Sequence, residues 1–197
     1  MTRIVLASRN KHKLTELRFF LTGLPFEIVS LEEFPNVPLF VEDGTTFEDN
    51  ALKKARQVYQ HTNTLALADD SGLEVFYLNG RPGVYSARYA GEQANDNANN
   101  QKLLTNIKGV APRRRGAQFR AVLALVGKGI ERITDGTCPG AIAEAPRGSN
   151  GFGYDPIFIP EGFTRTYAEL ASEEKNKISH RSKAFEKMRD ILNREIH

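Results

Sequence analysis

Two adjacent carboxylates, Asp69 and Asp70, follow the apolar run LALA in the segment LALADDSGLEV, residues 65–75. Like charges this close repel each other, and burying either one is costly unless a cation lies opposite. Further acidic side chains surround a predicted helix start near Thr46: Glu42, Asp43, Glu48 and Asp49. Because Mg²⁺ binds carboxylate oxygens, Glu42 and one of the two aspartates would suffice for a metal site. Turn and capping roles are the alternative.

Lys13 lies in the first turn of a predicted helix, where the helix dipole disfavours a cation. A bound anion would explain this position, because free backbone N–H groups and a lysine together form a phosphate cradle. Ser8 and Asn10 are equally suited to capping and to contacting a ligand. Lys54 falls on the helix that starts near Thr46. For both lysines, a solvated position on the helix surface is the alternative interpretation.

The segment GSNGFGYDPIF, residues 148–158, combines three glycines with the aromatic residues Phe152 and Tyr154. Glycines allow the backbone to approach a ligand closely, and aromatic rings stack on nucleobases. Asp155 is suited to accept a hydrogen bond from a ring N–H. The alternative is an irregular loop whose aromatic rings pack into the core.

Two basic segments allow more than one interpretation. KNKISHRS, at 175–182, places Lys175, His180 and Arg181 between two predicted helices, although a lone histidine is more often structural. The other segment follows Pro112 and contains Arg113, Arg114 and Arg115. It is interpreted as a solvated connection, with a phosphate contact as the alternative.

Composition is typical of a single soluble domain spanning residues 1–197. The 27 basic and 24 acidic residues give a formal charge of +3, which suits an anionic ligand but does not by itself indicate nucleic acid. The sequence contains no phosphate-loop motif, no HExxH and no GxSxG. With one cysteine, no membrane-length apolar run and no leader pattern, we expect a cytoplasmic protein without membrane association.

Apolar periodicity predicts both strands and helices. The predicted strands are RIVLA (3–7), FEIVS (26–30), the run ending at Asp69–Asp70, GLEVFYL (72–78), GAIAE and IFI. Helices are predicted around Leu14–Leu21, from near Thr46 onward, over 95–108, and over the segments YAELASEEKNKI and AFEKMRDILNREI. A hairpin is expected over 117–137. This interleaving predicts an α/β fold with a mixed, twisted β-sheet flanked by helices.

Six ordered motifs together resemble the inosine triphosphate pyrophosphatase family. They are SRNKHK, TFEDNALKKA, ALADDSG, PGVYSARYAG, GFGYDPIF and EEKNKISHRS, spread over residues 3–192. The resemblance implies that family's fold and the hydrolysis of non-standard purine nucleoside triphosphates (ITP, dITP, XTP) to the monophosphate and pyrophosphate. It also implies Mg²⁺ as cofactor, a homodimer, and no stable nucleic-acid partner.

The resemblance assigns roles to individual residues. It implies a magnesium site at Glu42, Asp69 and Asp70, with Asp70 also as general base. The implied substrate-binding residues are Ser8, Arg9, Asn10, Lys11, His12, Lys13, Lys54, Ser71, Phe152, Gly153, Tyr154, Asp155, Lys175, His180 and Arg181. A buried Arg181 donor aimed at O6 would distinguish 6-keto purines from adenine.

Two positions depart from the family pattern. Arg9 stands where glycine is common, and Asp49 stands where glutamate is usual. Two other functions are weighed against the family activity: a Maf-like nucleotide pyrophosphatase with another base preference, and a non-catalytic nucleotide- or RNA-binding module. Glu42, Asp69 and Asp70 argue against the binding module, because carboxylates without a metal repel polyphosphate.

Overall fold

The computed structural model describes residues 1–196. The strands are Thr2–Leu6 (β1), Phe26–Ser30 (β2), Ala66–Val75 (β3), Gly116–Gly127 (β4), Ile130–Ile142 (β5) and Phe158–Pro160 (β6). The α-helices are Lys11–Phe20 (α1), Phe47–Thr62 (α2), Asp96–Asn106 (α3), Ser172–Ile178 (α4) and His180–Glu195 (α5). Short 3₁₀ turns connect several of these elements.

The six strands form one sheet in the order β2-β1-β3-β4-β5-β6. β1 pairs in parallel with β2 and with β3, whereas β5 pairs antiparallel with β6. Both orientations therefore occur in the same sheet. The prediction of an α/β fold with a mixed sheet is confirmed.

β3 differs from the prediction in a way that matters for the acidic pair. The sequence predicted two strands separated by a turn at Asp69–Ser71, but the structure has one strand of ten residues. Asp69 and Asp70 are consequently interior strand residues and not strand-end residues. β3 pairs with β1 through Ala66 and Leu67, lies beside β4 in the sheet, and continues through Ser71 without a turn, although Asp and Ser are turn-favouring residue types.

Two other boundaries also differ from the prediction. GAIAE is not a separate strand, because β5 continues to Ile142. YAELASEEKNKI is not one helix: a 3₁₀ turn at Tyr167–Glu169 precedes α4, with Leu170 and Ala171 extended between them. The hairpin between β4 and β5 and the helix start near Thr46 are confirmed.

The chain divides into two compact units, and the single-domain prediction stays a prediction. Unit 1 comprises 1–70, 121–136 and the residues from 181 onward, and unit 2 comprises 71–120 and 137–180. Each has its own buried apolar cluster, around Leu6, Leu67 and Phe185 in unit 1, and around Leu103, Phe119 and Phe158 in unit 2. No helix among the described residues combines the length and apolar character of a membrane span.

Candidate active site

In unit 1, α1 begins at a capping residue that orders the loop after β1. Asn10 Oδ1 accepts hydrogen bonds from the backbone N–H groups of His12 and Lys13, at 2.9 and 3.3 Å. Ser8 Oγ accepts from the N–H of Asn10 at 3.1 Å. Arg9 donates to the carbonyl of Val37 at 3.3 Å. The predicted substrate loop therefore has a defined conformation that directs Lys13 toward β3.

Asp69 is fully buried and holds two cations. Lys13 Nζ lies 3.0 Å from Asp69 Oδ1, and Arg181 Nε lies 2.6 Å from Oδ2. Arg181 Nη1 also donates to Glu16 Oε2 at 3.1 Å. Burial alone would raise the pKa of Asp69, but Arg181 and Lys13 hold it far below its usual range. Burial lowers the pKa of Lys13, against the attraction of Asp69.

Asp70 lies in a second, adjoining group of charges. Lys54 Nζ is 2.5 Å from Asp70 Oδ1 and 3.1 Å from Glu42 Oε1, and also donates to the carbonyl of Asp69. Burial raises the pKa of Asp70, although Lys54 opposes this shift. Burial would lower the pKa of Lys54, but Asp70 and Glu42 outweigh it and raise the pKa. The lysine is thus a fixed cation shared by two carboxylates.

The donor set fits a magnesium ion at Glu42 and Asp70. Mg²⁺ usually takes one or two protein carboxylates and completes its coordination with water and phosphate oxygens. Glu42 and Asp70 already converge on a single cation, the ammonium of Lys54. Within residues 1–196, no three His, Cys, Asp or Glu side chains gather into a metal site of their own. Asp69 fits poorly, because each of its carboxylate oxygens is bound by a cation of the protein.

In unit 2, a buried ion pair shapes the loop with the sequence GFGYD. Asp155 Oδ2 accepts from Lys175 Nζ at 2.7 Å and from the backbone N–H of Phe152 at 3.0 Å. Lys175 Nζ also lies 4.9 Å from the centroid of the Phe152 ring. Asp155 was expected to accept from a nucleobase, whereas these contacts give it a role in holding Phe152.

The other aromatic groups of unit 2 pack within its core. Tyr154 donates its hydroxyl to the carbonyl of Ser86 at 2.8 Å, and burial raises the pKa of this phenol. The buried ring of His180 stacks on Phe119, with centroids 4.8 Å apart. Packing of Tyr154 into the core was the alternative weighed for this loop, and it holds for Tyr154. Phe152 is only partly buried.

The remaining predicted site residues are exposed or partly buried. Lys11 and His12 are exposed in the first turn of α1, and Ser71 is partly buried on β3 directly after Asp70. The prediction of a solvated position is wrong for Arg115. It is buried and donates to the carbonyls of Ile107, Ile142 and Ala143.

Sequence reasoning missed two polar residues of this site, Glu16 and Asn50. Asn50 is buried, donates to Asp70 Oδ2 at 3.3 Å and accepts from the N–H of Gly44 at 2.9 Å. It lies one turn before Lys54 on the face of α2 that also buries Phe47 and Ala51. Two polar residues on an otherwise apolar helix face were the available signal. The sequence signal for Glu16, which lies one turn after Lys13 on α1, was weaker.

A sequence model of the Ham1 family matches residues 4–191. The chain belongs to the Ham1 family. A Geobacter sulfurreducens relative named dITP/XTP pyrophosphatase is 52% identical over 193 residues, covering 98% of this chain and 97% of that protein. The solved structure of a HAM1 protein from Coxiella burnetii is 44% identical with a TM-score of 0.90, covering 98% of this chain and 99% of that one.

A further similarity is to a Mycobacterium abscessus protein described as a nucleoside-triphosphatase / dITP/XTP pyrophosphatase. Its structure is 46% identical with a TM-score of 0.78, covering 97% of this chain and 100% of that one. These similarities confirm the family resemblance that the ordered motifs predicted. The role of each site residue stays a prediction.

Proposed function

We propose that this protein hydrolyses non-standard purine nucleoside triphosphates (dITP, XTP and ITP) to the monophosphate and pyrophosphate, with Mg²⁺ as cofactor. The observation that carries the proposal is the clustering of charges at Asp69 and Asp70 of β3. Lys13 contacts Asp69, Lys54 contacts Asp70, and Glu42 shares Lys54 with Asp70. Fixed ammonium groups beside acidic metal ligands suit a triphosphate. The names of the Geobacter and Mycobacterium relatives support the substrate class.

In this proposal Lys13 and Lys54 orient the phosphates and Asp70 assists the attacking water. The water oxygen bonds to the α-phosphorus as the α–β anhydride bond breaks, and pyrophosphate leaves. Asp70 accepts the water proton on a carboxylate oxygen. Asn50 and Lys54 hold the carboxylate in place.

Glu42 and Asp70 would hold the Mg²⁺. When bound, it supplies positive charge beside the phosphate oxygens and lowers the electrostatic cost of the displacement. We assign Asp69 to holding Lys13 and Arg181 and not to the metal. Arg181 contacts Asp69 and Glu16 through two of its nitrogens, and its role toward purine O6 stays a prediction.

The experiment measures pyrophosphate release from dITP, ITP, XTP, ATP and GTP, with Mg²⁺ and with a chelator. Asp70→Asn is compared with Asp43→Asn, an exposed aspartate paired with a lysine in the same unit. We expect metal-dependent hydrolysis of the non-standard substrates. In Asp70→Asn, kcat should fall by at least about 10²-fold, and Asp43→Asn should behave as wild type.

Two other results would contradict the proposal. Preference for pyrimidine or standard triphosphates would indicate a Maf-like pyrophosphatase. Nucleotide binding without hydrolysis would indicate a binding module.

We also propose a cytoplasmic homodimer. Support comes from the family resemblance for the dimer, and from the single cysteine for a reducing compartment. Sedimentation equilibrium should give twice the 22.0 kDa chain mass. A single species at the chain mass would contradict the dimer, and recovery from a compartment other than the cytoplasm on cell fractionation would contradict the location.

A further inference from the structure

Helix α3 contacts the loop with the sequence GFGYD through two side chains that no motif singled out. Asp96 Oδ2 accepts from the backbone N–H of Gly153 at 2.7 Å. Asn100 Nδ2 donates to the carbonyl of the same glycine at 2.9 Å. Asp96 and Asn100 are four residues apart, so they share one face of α3. Both backbone polar groups of Gly153 are thus bound by one helix.

Gly153 is a position where the backbone needs such support. It separates Phe152 from Tyr154 and has a positive φ of 63°, which favours glycine. Glycine has the greatest backbone freedom of any residue, so external hydrogen bonds decide which conformation it keeps. The orientation of Phe152 therefore depends on α3 as well as on the Asp155–Lys175 pair.

Stability alone does not account for Asn100. The residue is 4% exposed, and its Oδ1 meets no hydrogen-bond partner within residues 1–196. A buried polar atom without a partner is costly, whereas an apolar side chain of similar size would avoid that cost. The asparagine differs from such an apolar side chain in that its Nδ2 donates a hydrogen bond to the carbonyl of Gly153.

The same helix also fixes the neighbouring turn at Gly83–Arg88 and the residues after it. Asn99 accepts from the N–H of Ala90 and donates to the carbonyl of Ala87, at 2.7 and 3.0 Å. Within that turn, the carbonyl of Ser86 accepts the hydroxyl proton of Tyr154. α3 therefore holds the loop directly through Gly153 and indirectly through Tyr154.

We propose that Asp96 and Asn100 are positioning residues that set how the GFGYD loop receives the purine base. This inference rests on the proposed function, because it takes the loop as the base-binding segment. Loss of either contact loosens Gly153 and weakens the selection of the base, while the charged groups of unit 1 keep their contacts.

The test compares Asp96→Ala and Asn100→Leu with Asp96→Asn, which keeps an acceptor oxygen, and with Asn97→Ala, an exposed asparagine on the same helix. Hydrogen exchange of residues 150–155 is measured without nucleotide, and KM and kcat are measured for dITP and dATP. Asp96→Ala and Asn100→Leu should speed exchange, raise KM for dITP about tenfold and reduce discrimination against dATP. kcat should stay within about threefold, and the two comparison variants should resemble wild type.

Unchanged exchange in Asp96→Ala and Asn100→Leu would overturn the inference. Faster exchange with unchanged KM and discrimination would overturn it too, because the contacts would then be purely structural. If the wild type hydrolysed no non-standard triphosphate, the proposed function would fail instead. The exchange measurement would still decide whether α3 holds the loop.

Discussion

At the scale of single residues, the outstanding feature is the burial of Asp69 between two cations. Removing the carboxylate charge leaves Lys13 and Arg181 buried beside a neutral group. Breaking a buried ion pair from one side is strongly destabilising, because the remaining charge is uncompensated.

We therefore expect Asp69→Asn to lower the free energy of unfolding by about 3 kcal/mol. Urea unfolding of the variant and of wild type measures the difference. Asp43→Asn is the control, since it removes an exposed aspartate–lysine pair, and such pairs contribute little. Equal stabilities of Asp69→Asn and wild type would show that the two cations do not need Asp69.

The contacts of Asp69 with Lys13 and Arg181 also predict how the stability difference between wild type and Asp69→Asn depends on pH. The pKa of Asp69 is depressed in the folded state, so the unfolded chain binds more protons at acidic pH. The stabilisation is complete above the unfolded pKa of about 3.9 and diminishes as the pH falls below it, by about 1.4 kcal/mol per pH unit. Unfolding of wild type and Asp69→Asn between pH 6 and pH 2.5 checks this. A difference that stays constant over that range would contradict it.

Single residue types drew attention to several residues of the candidate site but did not predict their contacts. Lys13 and Asp70 stand out in the sequence because a cation at a helix start and adjacent acids are unusual, whereas Lys54 was assigned a role only through the family resemblance. Glu16 and Asn50 do not stand out, because an ion pair or amide contact between distant segments leaves no local pattern. The contact of Asp155 with Lys175, twenty residues away, was not visible in the sequence for the same reason, and the role of Asp155 toward a nucleobase stays a prediction.

At the scale of elements, the helices near the N-terminus were predicted more accurately than the strand lengths and the helix YAELASEEKNKI. A helix start was predicted near Thr46, and Thr46 caps that helix, since its Oγ accepts the N–H of Asp49 at 3.1 Å. β3 was divided wrongly at Asp69–Ser71, since pairing with other strands outweighs local turn preference.

The cap on α2 is testable with a neighbouring threonine as control. Thr46→Ala removes the acceptor for an N–H group of the first turn and should lower the free energy of unfolding by about 1 kcal/mol. Thr45→Ala, at the preceding exposed position, should have little effect. Thermal or urea unfolding distinguishes them, and equal effects would mean that the helix start does not depend on this contact.

Arg115 joins the segment after α3 to the end of β5. Because its guanidinium donates to three backbone carbonyls, Arg115→Met should leave buried acceptors unsatisfied and cost about 3 kcal/mol. Arg113→Met, at an exposed position in the same basic run, should change the free energy by no more than about 0.5 kcal/mol. If both variants unfolded at the same urea concentration, the contacts of Arg115 would carry no stability.

At the scale of the whole molecule, the α/β fold was predictable because strand and helix periods alternate along the chain. The strand order was not, because nothing in the local sequence says that β3 lies beside β1 and β4. The division of the described chain into two compact units is not visible in the sequence either, since no composition change or linker marks it.

Net charge is also a whole-molecule property, and it predicts weak binding to nucleic acid. A formal charge of +3 supplies little counterion release. Fluorescence anisotropy with a labelled single-stranded RNA should show no binding tighter than about 100 μM at physiological salt. Tight binding that weakens steeply with salt would instead support the nucleic-acid-binding module.

The ammonium of Lys54, shared by Glu42 and Asp70, has a consequence for how the protein matures. Proteins whose metal ligands repel each other often fold only when the ion arrives. Here the polypeptide carries its own counterion, so one of the two negative charges of Glu42 and Asp70 is offset before any divalent ion binds. A chelator should therefore stop hydrolysis and leave the thermal unfolding midpoint unchanged, and a lowered midpoint would contradict this. A newly made chain would reach its native state without magnesium, and the ion would be needed only when nucleotide is turned over.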